Sequence, residues 1–154
     1  MSTFSHIQDG RARMIDISGK AEVARRAVAT GEIHLKPETV EAIKNGQVEK
    51  GEVLETARIA AIMAIKRTSF AIPMCHTIPV TSIDVTFDTG IDTIKAVVEV
   101  KSTGKTGVEM EALHGVSLAL LTVWDMVKSA EKDDTGNYPF TGITNIRVLE
   151  KTKQ

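Results

Sequence analysis

The sequence predicts an α+β fold with the ferredoxin-like split βαβ arrangement, in which an antiparallel sheet packs against long helices. Three observations lead to this prediction. Segments that alternate apolar and polar residues, as strands do, recur along the chain. Two of them follow one another closely, as the strands of a hairpin do. Segments with apolar residues at helical spacing lie before and after that hairpin.

The first long strand is predicted in RRAVATGEIHL, where small and apolar residues at every second position share one face: Ala27, Ala29, Gly31, Ile33 and Leu35. The stretch MIDIS, at 14–18, also alternates and predicts a short strand. Residues 1–13 are polar and are predicted to be a flexible segment. The remaining length, 14–154, fits a single domain.

Two helices are predicted next. Pro37 marks the first turn of a short helix that Asn45-Gly46 closes. An alanine- and isoleucine-rich helix then runs from about Gly51 to Arg67, and the loop IPMCHTIP follows it. SIDVTFDT and IKAVVEVKST form the hairpin, GKTG is a loop, and a long helix spans about Val108 to Lys132. ITNIRVLEK is the final strand.

Composition sets the broad class. Hydrophobic residues make up 42% and charged residues 25%, as in soluble globular proteins. A net charge of −1 and 4% aromatic residues give no support for binding to nucleic acid or to an anionic membrane. The one cysteine cannot form an internal disulfide, and neither a secretory signal nor a membrane-spanning apolar run is evident. A cytoplasmic protein is therefore expected.

Cys75 stands beside His76 in IPMCHTIP, between Pro73 and Pro79. Such a pair suggests a thiolate nucleophile, a metal site, or no special chemistry. Neighbouring residues do not easily bind one metal, and a second cysteine is lacking, so no metal site is predicted. An ordinary small, buried side chain is the simplest role for Cys75. His76 is as consistent with a binding group as with a structural histidine.

The stretch TGKTGVEMEAL contains a phosphate-loop-like GKT, but Glu99 stands where that motif requires glycine, five positions before Gly104. A glycine-rich turn entering a helix remains, and it can hold an anion or cap the helix. Glu109 and Glu111 fall in the first turn of this helix. Each either interacts with the helix dipole or serves a site, and at a spacing of two they point in different directions.

In WDMVK, Asp125 and Lys128 are neighbours on one helical face. They are either a solvated ion pair or, because the helix is unusually apolar, a partly buried pair. Burial would lower the pKa of Lys128 toward neutral pH, and such a lysine is suited to general acid–base chemistry. Basic residues elsewhere either solubilise the surface or converge on a polyphosphate, namely Lys20, Arg25, Lys50, Lys66, Arg67 and Lys105.

Together, KGEVLETARIAAIMAIKRT, the IPMCH loop, TGKTGVEMEAL and WDMVK, in this order, closely resemble the molybdenum cofactor biosynthesis protein C family, the cyclic pyranopterin monophosphate synthases. The resemblance covers about Met14 to Lys132. It implies that 14–154 is a single catalytic domain, with a ferredoxin-like subunit in a homohexamer, a trimer of dimers whose active sites lie at subunit interfaces. The implied reaction is that of a lyase. It converts 3',8-cyclo-7,8-dihydro-GTP, supplied by a radical-SAM GTP cyclase, to cyclic pyranopterin monophosphate and releases pyrophosphate.

The resemblance also implies roles for residues. Lys128 is the general acid or base, Asp125 is its charge partner or a second base, and Lys50 is the essential loop lysine. The implied substrate contacts are Met74, Cys75, His76, Glu109, Met110 and Glu111, and the implied triphosphate contacts are Lys20, Arg25, Lys66 and Lys105. On this interpretation His76 hydrogen-bonds the ligand, and Cys75 is neither nucleophile nor metal ligand. No cofactor or protein-bound metal is expected beyond Mg²⁺ accompanying the triphosphate.

The sequence departs from the family pattern at two places, and two other functions remain as alternatives to the synthase. Thr77 stands where many relatives have proline, and the chain ends in VLEKTKQ instead of a Gly/Lys/Ser-rich tail, leaving Lys151 or Lys153 as substitutes. One alternative is a regulatory module that binds a nucleotide without turning it over. The other is a purely structural assembly subunit, which would have no ligand pocket.

Overall fold

The computed structural model of the chain describes Ile7, Gln8 and residues 10–154. Its strands are β1 (Ile7–Gln8), β2 (Arg11–Ala12), β3 (Val23–His34), β4 (Val80–Thr89), β5 (Thr93–Gly104) and β6 (Gly142–Lys153). Its helices are α1 (Pro37–Lys44), α2 (Val53–Ile65), α3 (Thr68–Ala71) and α4 (Glu109–Glu131). The first two strands pair with each other, and the other four form one antiparallel sheet in the order β4-β5-β3-β6.

The predicted ferredoxin-like α+β fold is confirmed. After β3 the chain passes through α1 and α2, forms the β4–β5 hairpin, crosses through α4 and returns as β6 beside β3. In the hairpin, Val85 lies opposite Val98, as alternation in both segments requires. Helices α2 and α4 pack against each other, with Ala57, Ala61 and Val116 in the common core.

The close approach of α4 to β3 depends on a glycine. The predicted inner face of β3 is fully buried at Ala27, Ala29 and Ile33. A Cβ at Gly31 would lie 2.8 Å from Cγ1 of Val116 on α4, so no larger residue fits without displacing the helix. On the other side of β3 the pairing with β6 shifts register at this point, between Thr30 and Glu32.

One predicted strand is wrong. The MIDIS stretch pairs with no strand among the described residues, and Ile15 and Ile17 instead line a cavity described below. The alternation is real, but it reflects contact of one side of an extended segment with that cavity. In the predicted flexible segment 1–13, residues 1–6 and 9 lie outside the described residues, and β1 and β2 form a small hairpin.

Helix α4 positions both ends of the candidate site. Its 23 residues make it about 35 Å long at 1.5 Å per residue. Length and apolar composition would allow it to cross a membrane, but half of its apolar window is buried within the protein. It packs on β3, β5, β6 and α2, which is the position of a core helix.

Candidate active site

A cavity of about 560 Å³ opens between the segment before β3, the loop after α3 and the start of α4. It brings together many of the predicted substrate contacts, namely Lys20, Met74, Cys75, His76, Glu109, Met110 and Glu111. Ile15, Ile17 and Ile78 supply apolar walls. An apolar cavity with a few convergent polar groups is the usual form of a small-molecule site.

His76 fastens the cavity loop to the segment on the opposite wall. Its Nε2 lies 2.6 Å from the carbonyl oxygen of Ile15. Because a carbonyl oxygen only accepts, Nε2 carries the hydrogen, and in the neutral ring Nδ1 is then the acceptor. The ring can therefore hold the wall of the cavity and present a second polar atom.

Cys75 does not have the environment of a reactive thiolate. Burial raises the pKa of its thiol, and the negative charge of Glu111 adds to the effect. Reactive cysteines have the opposite surroundings, which lower the pKa. The geometry thus agrees with a thiol that forms part of the wall.

The two carboxyl groups at the start of α4 have opposite surroundings. Glu111 is 3% exposed, and burial raises its pKa, with the charge of Glu109 adding to the rise and its own backbone N–H opposing it. Burial alone would also raise the pKa of Glu109, but a hydrogen bond from Lys151, its own backbone N–H and nearby positive charge outweigh it, so this pKa is lowered. Two carboxyl groups whose pKa values are pushed apart can serve as acid and base.

Lys151 on β6 completes this wall of the cavity. Its Nζ lies 2.6 Å from Oε1 of Glu109, and its side chain lines the same cavity. The sequence suggested Lys151 only as a substitute for the Gly/Lys/Ser-rich tail of many relatives. The signal that would have located it is the pairing of β6 with β3, which places the end of β6 beside the first turn of α4.

The three predicted catalytic residues come together elsewhere on the surface. Nζ of Lys128 lies 2.8 Å from Oδ1 of Asp125, and Nζ of Lys50 lies 3.2 Å from Oδ2 and 2.9 Å from the carbonyl oxygen of the same residue. Hydrogen bonds from Lys128 and then Lys50 lower the pKa of Asp125. We call these three residues the lysine cluster.

Of the two alternatives for Asp125 and Lys128, a single chain shows the exposed ion pair and not the partly buried one. The side chains of Asp125 and Lys128 are 58% and 46% exposed, because this face of α4 points away from the sheet. The hydrogen bond to Asp125 raises the pKa of Lys128, which is the opposite of the lowering that a buried pair would have shown. Next to the cluster, the rings of Trp124 and Tyr138 meet edge to face with centroids 5.4 Å apart, and Leu121 is exposed.

The cavity and the lysine cluster lie at opposite ends of α4. Glu111 and Asp125 are 14 positions apart on this helix, which corresponds to about 21 Å at 1.5 Å per residue. Side chains cannot close such a gap along a rigid helix. Within one chain, therefore, the predicted catalytic and substrate-binding residues do not share one site.

The predicted triphosphate contacts are divided as well. Lys20 lines the cavity, and Nζ of Lys105 donates to the carbonyl oxygen of Ser18 at 2.9 Å near its edge. Arg25 lies beside Glu109 and Lys151 in a smaller adjoining depression. Lys66 is exposed at the end of α2 and does not line the cavity. Within Ile7, Gln8 and 10–154, no group of three or more His, Cys, Asp or Glu residues is placed to hold a metal ion.

The fold and the cavity define a class of protein: a ferredoxin-like α+β domain with a candidate small-molecule site that combines lysines and unlike carboxyl groups. The model of the MoaC family matches residues 14–154, and the chain belongs to this family.

Relatives match over nearly their whole length and are named probable cyclic pyranopterin monophosphate synthases. One from Methanococcoides burtonii is 64% identical, covering 100% of this chain and 97% of the relative. One from Methanosarcina mazei is 65% identical over 98% of this chain and 96% of the relative. One from Thermococcus onnurineus is 53% identical, covering 100% of this chain and 99% of the relative.

Proposed function

We propose that this protein is a cyclic pyranopterin monophosphate synthase, a lyase of molybdenum cofactor biosynthesis. The reaction converts 3',8-cyclo-7,8-dihydro-GTP to cyclic pyranopterin monophosphate and releases pyrophosphate. The observation that carries the proposal is the family match over 14–154, with relatives at 53% identity and above that are named as this synthase. The cavity supports it, because it brings together seven of the substrate and triphosphate contacts that the family resemblance implies.

The cavity residues suit the chemistry of this substrate. Rearranging a purine-derived skeleton into a pterin requires protons to move on ring atoms, and Glu109 and Glu111 offer one carboxylate and one carboxyl that tends to retain its proton. A hydroxyl oxygen of the sugar-derived part bonds to the α-phosphorus and gives its proton to a base, while the bond from the α-phosphorus to the bridging oxygen breaks and the β- and γ-phosphates leave as pyrophosphate. Lys20 and Lys151 place positive charge at the cavity wall for the phosphate oxygens.

The lysine cluster supplies the remaining acid–base chemistry in this proposal. Lys128 transfers a proton, Asp125 orients it, and Lys50 completes the cluster. In a single chain Lys128 is exposed, with its pKa raised by Asp125. Because this pKa is raised from an already high ordinary value, Lys128 carries the proton that it donates.

In this proposal, a second copy of the chain therefore contributes residues to each active site. The cavity of one chain and the lysine cluster of another form one site, in a homohexamer built as a trimer of dimers. Two features support this arrangement: the separation of about 21 Å along α4, and the exposed Leu121 beside the cluster, an apolar surface of the kind that interfaces cover.

The substrate comes from a radical-SAM GTP cyclase, and the protein works in the cytoplasm without a nucleic-acid or membrane partner. Arg25, Lys66 and Lys105 contact the triphosphate, Lys66 from a neighbouring chain. The protein uses no resident cofactor, and any Mg²⁺ that takes part arrives with the triphosphate.

One assay tests the function. The purified protein is incubated with 3',8-cyclo-7,8-dihydro-GTP, and pyrophosphate and the fluorescent oxidised pterin derivative are followed. Wild type is expected to form both products, and Lys128→Ala is expected to form neither while still binding the substrate. Lys132→Ala, an exposed lysine one turn further along, is the matched control and should retain activity. Binding by wild type without pyrophosphate release would overturn the synthase and favour the regulatory module.

A further inference from the structure

Residues 36–50, which include α1 and the loop that carries Lys50, are attached to the C-terminal part of α4 at both ends. At one end Lys50 bonds to Asp125. At the other, the backbone N–H of Lys36 donates to the two carboxylate oxygens of Glu131, at 3.0 and 3.3 Å. The Lys36 ammonium also donates to the carbonyl oxygen of Ala130 at 2.9 Å.

Between these two attachments the segment does not pack tightly on α4. A cavity of about 620 Å³ separates them, lined by Thr39 and Val48 on one side and by Met126 and Ser129 on the other. Oγ1 of Thr39 is the one buried side-chain nitrogen or oxygen in the described part of the chain that has no hydrogen-bond partner. Val40 and Ile43 hold the middle of α1 in the core, and the two attachments hold the ends of the segment to α4.

The two attachments differ in strength. Lys50 and Asp125 form an exposed pair, and such pairs contribute little to holding a geometry. Glu131 is fully buried and also accepts a hydrogen bond from Oγ1 of Thr141 at 2.5 Å. Hydrogen bonds to a carboxylate in a buried place are among the strongest that a protein forms. The Glu131 end therefore sets the spacing.

We infer that Glu131 is a positioning residue for the lysine cluster. Its buried carboxylate fixes the start of the 36–50 segment against the last turn of α4, one turn beyond Lys128, and so determines where Lys50 meets Asp125. The geometric part of this inference is independent of the reaction. Its catalytic consequence rests on the proposed function.

Glu131→Gln tests the inference, since it keeps the shape of the side chain and weakens its acceptor. The first measurement is the ¹³C NMR titration of the Asp125 carboxyl, assigned by comparison with Asp125→Asn. In Glu131→Gln its midpoint is expected to move up toward that of Lys50→Met, because the Lys50 contact is lost. The second is steady-state kinetics, where kcat is expected to fall about 10- to 100-fold with little change in KM.

Two controls separate positioning from general damage. Glu41→Gln removes a carboxylate from the same segment, where it bonds only locally to Asn45, and should leave both measurements unchanged. Val85→Ala truncates the core in β4 and shows the effect of lost stability alone. If Glu131→Gln matches wild type, or changes both measurements no more than Val85→Ala does, the inference is overturned.

A folding defect does not prevent the test. If Glu131→Gln does not fold, Thr141→Val removes one donor from the Glu131 carboxylate and is judged by the same two measurements and the same criteria. If wild type is inactive on the substrate, the proposed function fails. The Asp125 titration then still decides the role of Glu131.

Discussion

Lys50 and Asp125 lie 75 residues apart in the sequence, yet Nζ of Lys50 lies 3.2 Å from Oδ2 of Asp125. Lys128 takes the other oxygen of the same carboxylate. The carboxylate is therefore held between two ammonium groups that come from different elements. Asp125 therefore contacts both lysines, and it raises the pKa of Lys128.

Replacing Asp125 with asparagine is expected to shift the alkaline side of the pH–activity profile to lower pH. A hydrogen bond to Asp125 and its negative charge raise the pKa of Lys128, so their loss lowers that pKa and the ammonium loses its proton earlier as pH rises. The measurement is kcat/KM against pH for both proteins. Asp134→Asn, an exposed acid beyond α4, is the control. An unmoved alkaline limb would contradict the role given to Lys128.

Two inactive variants are expected to restore activity to each other. His76→Ala damages the cavity and Lys128→Ala damages the lysine cluster, so a site made from two chains recovers when an intact half comes from each. With random mixing about a quarter of the sites should be intact. The test is to co-refold the two proteins and assay the product. A mixture as inactive as its parents would show that each site belongs to one chain.

Cys75 is expected to react slowly with iodoacetamide at neutral pH. Burial and then the charge of Glu111 raise the pKa of the thiol above its ordinary value of 9.0, so little thiolate is present. The measurement is the alkylation rate against pH, with a midpoint above 9.0 expected. Cys75→Ala should retain most of the activity. An alkylation midpoint below 9.0, together with a loss of activity as large as that of Lys128→Ala, would contradict the assignment of Cys75 to the cavity wall.

Glu111 is expected to make the protein less stable as pH rises. Because its pKa is raised in the folded state, the native protein keeps a proton that the unfolded chain loses near 4.5. The stabilisation is full below 4.5 and is lost as pH rises through the raised pKa. The measurement is urea unfolding of wild type and Glu111→Gln at several pH values across this range. As pH rises, the free energy of unfolding of wild type should fall relative to that of the variant. A constant difference would contradict the assigned shift.

Gly31→Ala is expected to destabilise the fold by about 1–3 kcal/mol through overpacking. The added Cβ would lie 2.8 Å from Val116 and 3.0 Å from Leu120, both fully buried on α4. Gly142→Ala, where a Cβ meets nothing within 4 Å, is the matched control. The urea midpoints of the two variants give the comparison. Equal midpoints would show that α4 moves away from β3 without loss of stability.

Much of the fold was predictable because each element carries its own local signal. Alternation placed β3, and the proline and glycine around the first helix marked its start and end. The stretch at 14–18 failed because alternation shows that one side is buried but not what covers it: Ile15 and Ile17 face a cavity. Such a distinction depends on residues far along the chain.

The residues of the candidate site could be predicted from the sequence. Their separation into two groups, the cavity and the lysine cluster, could not. Motif resemblance selected residues at both ends of α4, and the structure gathers most of them into two groups. Periodicity does not reveal that Lys128 is exposed in one chain, since the apolar character of the helix comes from its other faces. The buried Glu131 was missed because a glutamate in the last turn of a helix has no sequence signal that distinguishes it from a solvated one.

The edge-to-face contact of Trp124 with Tyr138 also has a practical consequence, since the chain contains one tryptophan and one tyrosine. Ultraviolet emission from this protein arises almost entirely from one small region, directly before Asp125 in the sequence. Quenching and spectral shift of that emission therefore report on the surroundings of Asp125. The arrival of a neighbouring chain or of a ligand there can be followed in real time without attaching a dye.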